Sequence, residues 1–519
     1  MALRFNRASL VRLFGVALFA LLAVAGIAFS LLLFLFAKSL YDDMIASIFL
    51  LLSLLAAFFD LYSALIYSKS CGYADYFAKL KSSLKPLTKY PTVAIVVPVF
   101  NEDPNEIKSN MRELLKINYP KEMLKYYILD DSTDLPIARS VERFAQKHQI
   151  VYIRRKDRKG FKAGAINNMA NTAKEEFFAI FDADERLVNK NFLINLMPFF
   201  QDPRVSYVQT DKRYETGSTL SGAMDITAAL YYKFVHAGRA LNNTAIFAGS
   251  CGIVRKSAFE QIGGFPEYVV EDTFFSFESN MHNFKSVYVP EVYALGRPLN
   301  TFTEVVKQQW RYNYGNTQFF NYYMKKKSEQ NHKKLPFLPS VDYFIHGFGL
   351  NYASVVLILF TLATIGVIFS TVPFIHIIGF SNFMAQSHWL IVVELMGLFA
   401  FVLPLLMPAF LSKFYFNSLK SGVVSIFLNY ALAFVRVKAA LATLINKNPG
   451  MHWNKLKTDR TGSNVLFSLR NTYMETTFAS AMLGFSYLAY LQSNIFGSIC
   501  LAMYGILYLL TTIFLYKYG

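Results

Sequence analysis

Cysteine is scarce in this chain, three in 519 residues, and acids are outnumbered, 35 Asp and Glu against 52 Lys and Arg. Cys71, Cys251 and Cys500 match no metal-ligand spacing, so Cys-ligated metal chemistry is set aside and the three read as reduced thiols. Charge of either sign is thin, at 17%. Hydrophobic residues make up 54%, 50 of them Phe, and mean hydropathy is +0.29, which excludes an ordinary soluble enzyme and predicts membrane spans. The basic surplus leaves a net charge of +17 with no dense basic block, so nucleic acid is not the expected partner. Such a balance suits cytoplasmic loops against anionic membrane lipid, and an anionic substrate.

Two apolar stretches open the chain, about Leu13 to Phe36 and Met44 to Tyr67. Each exceeds the roughly 20 residues a bilayer requires, and the first is too long for a signal-peptide core and lacks a small-residue cleavage site. They predict a transmembrane hairpin over residues 1–70. Arg4, Arg7 and Arg12 precede it and Lys69, Lys79, Lys81, Lys85 and Lys89 follow it, so both flanks are expected in the cytoplasm. A second membrane block over 345–519 carries apolar runs near 347–370, 388–411, 420–445, 474–491 and 494–516. Charge counting predicts that 420–445 lies on the cytoplasmic surface as an amphipathic helix, with Arg436 and Lys438 snorkelling. That makes six spans, or seven if this run crosses. Asp60 and His346 lie near span ends and are assigned no role, and Glu394 falls inside the run 388–411.

Between the blocks, 90–325 alternates strand and helix patterns, predicting an α/β domain with a mainly parallel sheet. "VAIVVPVF" (93–100), "YYILDDSTD" (126–134) and "EFFAIFDADE" (176–185) read as buried strands, each running into polar or acidic residues. In open α/β sheets ligands bind at the carboxyl ends of strands, where Asp130, Asp131, Asp182 and Asp184 gather. The D-x-D of Asp182 and Asp184 offers hard oxygen ligands suited to Mg²⁺ or Mn²⁺ shared with a diphosphate. "KGFKAGAINN" (159–168) adds Lys162 and a glycine turn for a phosphate-bearing ligand. "AGSCG" (248–252) provides small residues for close approach, and "VVEDTFF" (269–275) adds Glu271 and Asp272.

In order, "VPVFNE", "LDDSTD", "KAGAINN", "DAD", "VQT", "AGSCGIVRK", "VED" and "QQWRY" resemble a family 2 glycosyltransferase of GT-A fold. They resemble in particular the membrane-integrated branch of cellulose, hyaluronan and mannan synthases. "LDDSTD" with "QQ-x-R" is most similar to the glucomannan and xyloglucan-backbone branch. The resemblance implies that Asp130 and Asp131 recognise the nucleotide, and that Lys162, Asp182, Gln308 and Arg311 contact the nucleotide sugar. It implies Asp184, with Asp182, as metal ligands, and Asp272 as general base with Glu271 beside it. Trp310, Tyr312, Ser250 and Cys251 are implied at the acceptor. Val270 replaces the usual Thr of T-E-D, and Tyr312 the usual Trp of Q-x-x-R-W. The loop at about 446–472, with "MHWNKLKTDR" (451–460), is similar to a cytoplasmic gating loop, which implies that Thr458 and Arg460, with Trp453, meet the donor diphosphate.

The activity implied is inverting hexosyl transfer from a UDP-glucose-like or GDP-mannose-like donor to a growing β-linked polysaccharide, threaded through a multi-pass cell-membrane protein with its catalytic domain in the cytoplasm. Asn351, Tyr352, Ser354, Tyr473, Tyr487 and Tyr490 are expected to line the glycan's path. A single-sugar transferase acting on a membrane lipid acceptor, or a catalytically silent scaffold, are the alternatives.

Overall fold

The computed structural model describes residues 7–36, 39–329, 334–368, 409–445, 465–492 and 495–518. Helix α1 (Arg7–Phe36) turns back at Ser39, whose hydroxyl caps α2 (Leu40–Ser83) by accepting from the Asp42 amide. The two helices pack along each other. Helix α2 outruns the expected apolar stretch: it exposes Leu51, Leu54, Phe58, Leu61 and Leu65, then continues until Tyr73 and Phe77 join the core of the α/β domain.

That domain is built on one eight-stranded sheet. Its strands are β1 (Val93–Val99), β2 (Leu124–Asp130), β3 (Val151–Ile153), β4 (Phe177–Ile180), β5 (Glu185–Leu187), β6 (Val205–Tyr214), β7 (Gly252–Arg255) and β8 (Lys285–Gly296), in the order β3-β2-β1-β4-β7-β6-β8-β5. β1 pairs in parallel with β2 and β4, β2 with β3, and β6 with β8, whereas β7 runs antiparallel to β4 and β6, and β5 antiparallel to β8. The sheet is thus mixed, with its parallel part in the first half of the domain, where the sequence alternates strand and helix. Beyond β4 the strands join in mixed directions, and the antiparallel β7 separates the two parallel parts. Along β1, Val93, Ile95, Val97 and Val99 enter one core cluster and Ala94 and Val96 the other, as a strand covered on both faces demands. Helices α3 (Pro104–Leu114) and α4 (Leu135–Lys147) cover the first face, and α5 (Phe161–Ala170) lies on the second.

The shorter helices α6 (Phe192–Leu196), α7 (Thr219–Leu230), α8 (Ala237–Ala240), α9 (Lys256–Ile262) and α10 (Glu271–Met281) precede α11 (Phe302–Ser328), whose start is fixed by a reciprocal cap between Thr301 and Glu304. The later helices are α12 (Phe337–Ile368), α13 (Leu419–Ala431), α14 (Ala433–Ile445), α15 (Val465–Asn471), α16 (Tyr473–Leu491) and α17 (Ile495–Tyr518).

Among the described residues, two helices are long and apolar enough to cross a membrane, Leu40–Ser83 and Gly497–Tyr518. A third candidate is the pair α13 and α14, bent by 43°. The run 420–445 is therefore not one straight surface helix. Arg436 does not snorkel: it is 9% exposed and donates to Asn429 Oδ1 at 3.0 Å and Gln309 Oε1 at 3.3 Å, because Asn429 of the preceding helix and Gln309 of α11 offer it amide oxygens. Lys438 turns to buried Glu475, 3.7 Å away. The proposed glycan path also loses members. Tyr473, Tyr487 and Tyr490 lie more than 60% exposed on α16, because the face that packs carries Glu475, Ala479, Met482, Ser486 and Ala489 instead. Ser354 is buried, the side chains of Asn351 and Tyr352 fall outside the description, and Glu394 and Trp453, Thr458 and Arg460 of the 451–460 loop lie outside the described residues.

Candidate active site

The three strand-end motifs arrive side by side because their strands are neighbours. Val99 pairs with Asp130 across β1 and β2, and Val96 with Ile180 across β1 and β4, so "NE", "DDS" and "DAD" all emerge at one sheet edge. Asp130 turns inward: it is fully buried, with Oδ2 accepting from Tyr152 Oη at 2.7 Å and Oδ1 from the Ser132 amide at 2.8 Å. It braces the loop instead of facing a ligand, since a polar group removed from water must be satisfied within the protein. Asp131 is held by Arg155 through a two-pronged pair, Nε to Oδ1 at 3.0 Å and Nη2 to Oδ2. Arg155 also donates to the carbonyls of Lys159 and Phe161, binding the aspartate loop to the turn at Gly160 (φ 70°) that launches α5.

Lys162, in the first turn of α5, donates to Asp182 Oδ1 at 2.5 Å and to the Gly249 carbonyl at 3.0 Å. A second ammonium, Lys212 of β6, stands 3.9 Å from Asp182 Oδ2 and 3.0 Å from Glu185 Oε1, and donates to Ser250 Oγ. Burial works against ionising Asp182, but the two lysines outweigh it and hold the carboxyl well below the usual range. Asp184 is half-buried two residues on, its carbonyl accepting from the Arg297 amide.

The "AGSCG" segment is held by Gln209, fully buried on β6. Its Oε1 accepts from the Ala248 amide at 2.7 Å and its Nε2 donates to the Ser250 carbonyl at 3.1 Å. Gly249 (φ 78°) and Cys251 (φ 52°) take left-handed backbone conformations that kink the loop past the sheet. Ser250 is buried, its hydroxyl donating to Glu185 Oε1 at 2.7 Å, and Cys251 is packed in the core, where burial pushes its thiol up to about 12. Neither side chain is placed to touch an acceptor, because the left-handed residues rotate both into the sheet layer.

Asp272 and Glu271 form the first turn of α10, and a Cβ added to Gly249 would stand 3.0 Å from Asp272 Oδ2. Burial pushes both acids upward, the Asp272 charge adds to the rise of Glu271, and Lys162 and Arg311 draw both back.

Helix α11 sorts "QQWRY" by face. Gln308, Arg311, Tyr312 and Gly315 share the i, i+3, i+4, i+7 stripe. Gln308 Nε2 reaches Tyr214 Oη at 3.5 Å, Arg311 lies near Glu271, Asp182 and Asp272, and a Cβ on Gly315 would clash with Val270 at 2.5 Å. Glycine at 315 therefore lets the helix close on the acids. Burial works against the Arg311 charge, but Tyr312 and these carboxylates outweigh it and raise its pKa. Gln309 and Trp310 point elsewhere. Gln309 holds Arg436, and Trp310 packs in the apolar seam with Leu220, Phe302 and Leu428, which takes it out of the acceptor set.

Residues 91–315 match the family described as Glycosyltransferase like family 2. They are a family 2 glycosyltransferase domain. The chain is 27% identical over 239 residues to the cellulose synthase catalytic subunit (UDP-forming) of Pseudomonas fluorescens (strain SBW25), covering 45% of this chain and 32% of that protein. It is 31% identical over 245 residues to probable glucomannan 4-beta-mannosyltransferase 7 of Oryza sativa subsp. japonica, covering 45% of this chain and 42% of that one. The chain thus spans well under two thirds of these relatives' lengths. Among solved structures, the mannosyltransferase PcManGT from Pyrobaculum calidifontis, in complex with GDP-Man and Mn2+, aligns at TM-score 0.48 and 18% identity, over 74% of this chain and 99% of that one. The mixed α/β sheet of the glycosyltransferase domain is of the GT-A class.

The glycosyltransferase domain brings Lys162, Asp182, Glu271, Asp272, Arg311 and Tyr312 of the expected set within reach of one another, with Gln308 beside Tyr214 and Asp184 two residues beyond Asp182. Sequence reasoning missed Arg155, Lys212, Glu185, Gln209 and Tyr214. The one available signal was Lys212, two residues beyond "VQT": a lysine in a strand that begins apolar asks for an acidic partner.

Proposed function

We propose that the protein is an inverting hexosyltransferase that moves a hexose from a nucleotide-diphosphate sugar to a growing β-linked polysaccharide at a membrane. The observation that carries this reading is the convergence of one half-buried acid pair, Glu271 and Asp272, with two cations, Lys162 and Arg311, beside a D-x-D. Asp272 takes the proton from an acceptor hydroxyl, and the oxygen attacks the anomeric carbon as its bond to the diphosphate oxygen breaks. Lys162 and Arg311 stabilise charge on the departing nucleoside diphosphate in a desolvated setting, where such contacts are strong. Asp131, held by Arg155, is the strand-end acid assigned to the nucleotide, with Asp130 holding its loop. Gln308 and Tyr312 face the sugar, and the aromatic face of Tyr312 suits stacking.

The D-x-D fits a divalent ion by the chemistry of its donors, two hard carboxylates at a strand end. Asp184, together with Asp182, would hold Mg²⁺ or Mn²⁺, which when bound would neutralise part of the diphosphate charge.

The donor is UDP-glucose-like or GDP-mannose-like, the catalytic domain faces the cytoplasm, and the apolar helices anchor the chain as a multi-pass membrane protein that threads its product across. Thr458 and Arg460 are proposed to close over the donor. Transfer of a single sugar to a membrane lipid is the second reading, favoured by the outward exposure of Tyr473, Tyr487 and Tyr490, since a lipid product needs no lined path. The test is a donor screen on detergent-purified protein, scored by nucleoside diphosphate release, followed by sizing of labelled product. High-mass material destroyed by a specific glycanase supports polymer synthesis. One sugar on extractable lipid supports the second reading, and no release from any donor overturns both.

A further inference from the structure

Helix α10 carries both acids of the site in its first turn, yet it lacks a side-chain cap. Val270 occupies the N-cap position, where Ser, Thr, Asp or Asn would accept from the first free amides. What holds this turn comes from outside the cleft. Thr273, 4% exposed, has its hydroxyl 3.3 Å from His346 Nε2, and its amide donates to Asp272 Oδ1 at 2.7 Å. His346 belongs to α12, the first long helix of the second apolar block.

The imidazole is itself oriented. Arg239 Nη1 lies 2.8 Å from His346 Nδ1, and a guanidinium can only donate, so Nδ1 is the acceptor and the proton sits on Nε2, directed at Thr273. Arg239 is 1% exposed and follows the π-helical turn Tyr231–His236. At Gly238 this segment touches the α2 backbone so closely that a Cβ would stand 2.4 Å from the Ile66 carbonyl. Asp342, also 1% exposed, offsets the Arg239 charge and accepts from Tyr62 Oη of α2 at 2.8 Å, Asn242 Nδ2 at 2.7 Å and Thr244 Oγ1. Both long helices, α2 and α12, are thus locked to the residue that follows the base.

We propose that His346 is a positioning residue for transfer: by donating to the Thr273 hydroxyl it anchors the uncapped first turn of α10 and so fixes the direction of the Asp272 carboxylate. This rests on the reading of Asp272 as the base. A base displaced by a fraction of an ångström loses its aim at the acceptor proton, whereas the donor site, built on β1, β2, β4 and α5, is untouched.

The test uses the full chain in detergent with a donor the wild type turns over, reading diphosphate release and thermal midpoint. His346→Ala and the isosteric Thr273→Val should each lower kcat by about 10-fold to 10²-fold, with the donor KM moved by no more than about twofold. The double variant should be no worse than His346→Ala alone, because both break one chain of contacts. Val270→Thr, which restores a capping hydroxyl, should recover much of the kcat of His346→Ala. If His346→Ala does not fold, Thr273→Val carries the test, since its shape is unchanged. A kcat for Thr273→Val equal to wild type, or single losses that multiply in the double variant, overturns the inference while wild-type turnover and an inactive Asp272→Asn keep the transferase reading intact. Full activity in Asp272→Asn removes the base assignment, and with it this role for His346.

Discussion

Gly249 stands close against Asp272: a Cβ on Gly249 would lie 3.0 Å from Asp272 Oδ2, so the carboxylate would have to shift by a few tenths of an ångström to admit it. The glycine thereby sets the distance between the loop of small residues and the proposed base.

Gly249→Ala should therefore impair catalysis more than stability. The left-handed φ of 78° costs an alanine about 1–2 kcal/mol, while displacement of the carboxylate costs on the order of 10²-fold in kcat. Diphosphate-release kinetics alongside a thermal melt check this, with a large kcat loss expected beside a modest drop in midpoint.

Lys212 should prove as necessary to folding as to activity. Its ammonium sits 3.0 Å from Glu185, whose side chain is only 4% exposed, so Lys212→Met leaves a buried carboxylate without its cation. Breaking such a pair costs about 3–5 kcal/mol, and adding Glu185→Gln should return much of that loss. Thermal unfolding of the single and double variants measures both values.

Acid should silence the enzyme at a higher pH than an ordinary aspartate would require. Burial raises the Asp272 pKa, so the protonated, inactive form persists upward as pH rises, and kcat/KM falls on descending through that raised value. The acid limb of the profile should lie above the ordinary aspartate value of about 4. A limb at or below that value would show that the base is better solvated than its position implies.

Arg155→Lys should weaken donor binding while sparing kcat. The guanidinium makes two bonds to Asp131 and two to the carbonyls of the α5 turn, a fork that an ammonium does not reproduce. The donor KM should rise by about tenfold, the scale of one lost charge-assisted hydrogen bond, and nucleotide titration by calorimetry reads the same loss directly.

The parts legible in the sequence were those governed by neighbours in the chain. "VAIVVPV" is apolar at every position, so its two-sided burial shows without a structure, and the acids that close β2 and β4 follow from where those runs stop. The i, i+3, i+4 spacing of Gln308, Arg311 and Tyr312 already implied one helical face. The same spacing did not exclude Trp310, because its apolar partners, Leu220 and Leu428, are supplied by α7 and α13. Ser250 and Cys251 were misread for a related reason: the backbone signs at Gly249 and Cys251, which turn both side chains inward, depend on the sheet beneath them.

Local order of residues determined the strands, the strand-end carboxylates, the apolar helices and the departure at Val270. Tertiary structure alone decided that Lys212 neutralises Asp182 and Glu185, that Asp130 pairs with Tyr152 while Asp131 pairs with Arg155, and that His346 reaches Thr273. Each of these joins residues between 22 and 73 positions apart, brought together by the fold. Hydrophobic periodicity records which face of an element is buried; the partner that a buried charge finds there depends on packing geometry, to which a one-dimensional pattern is blind.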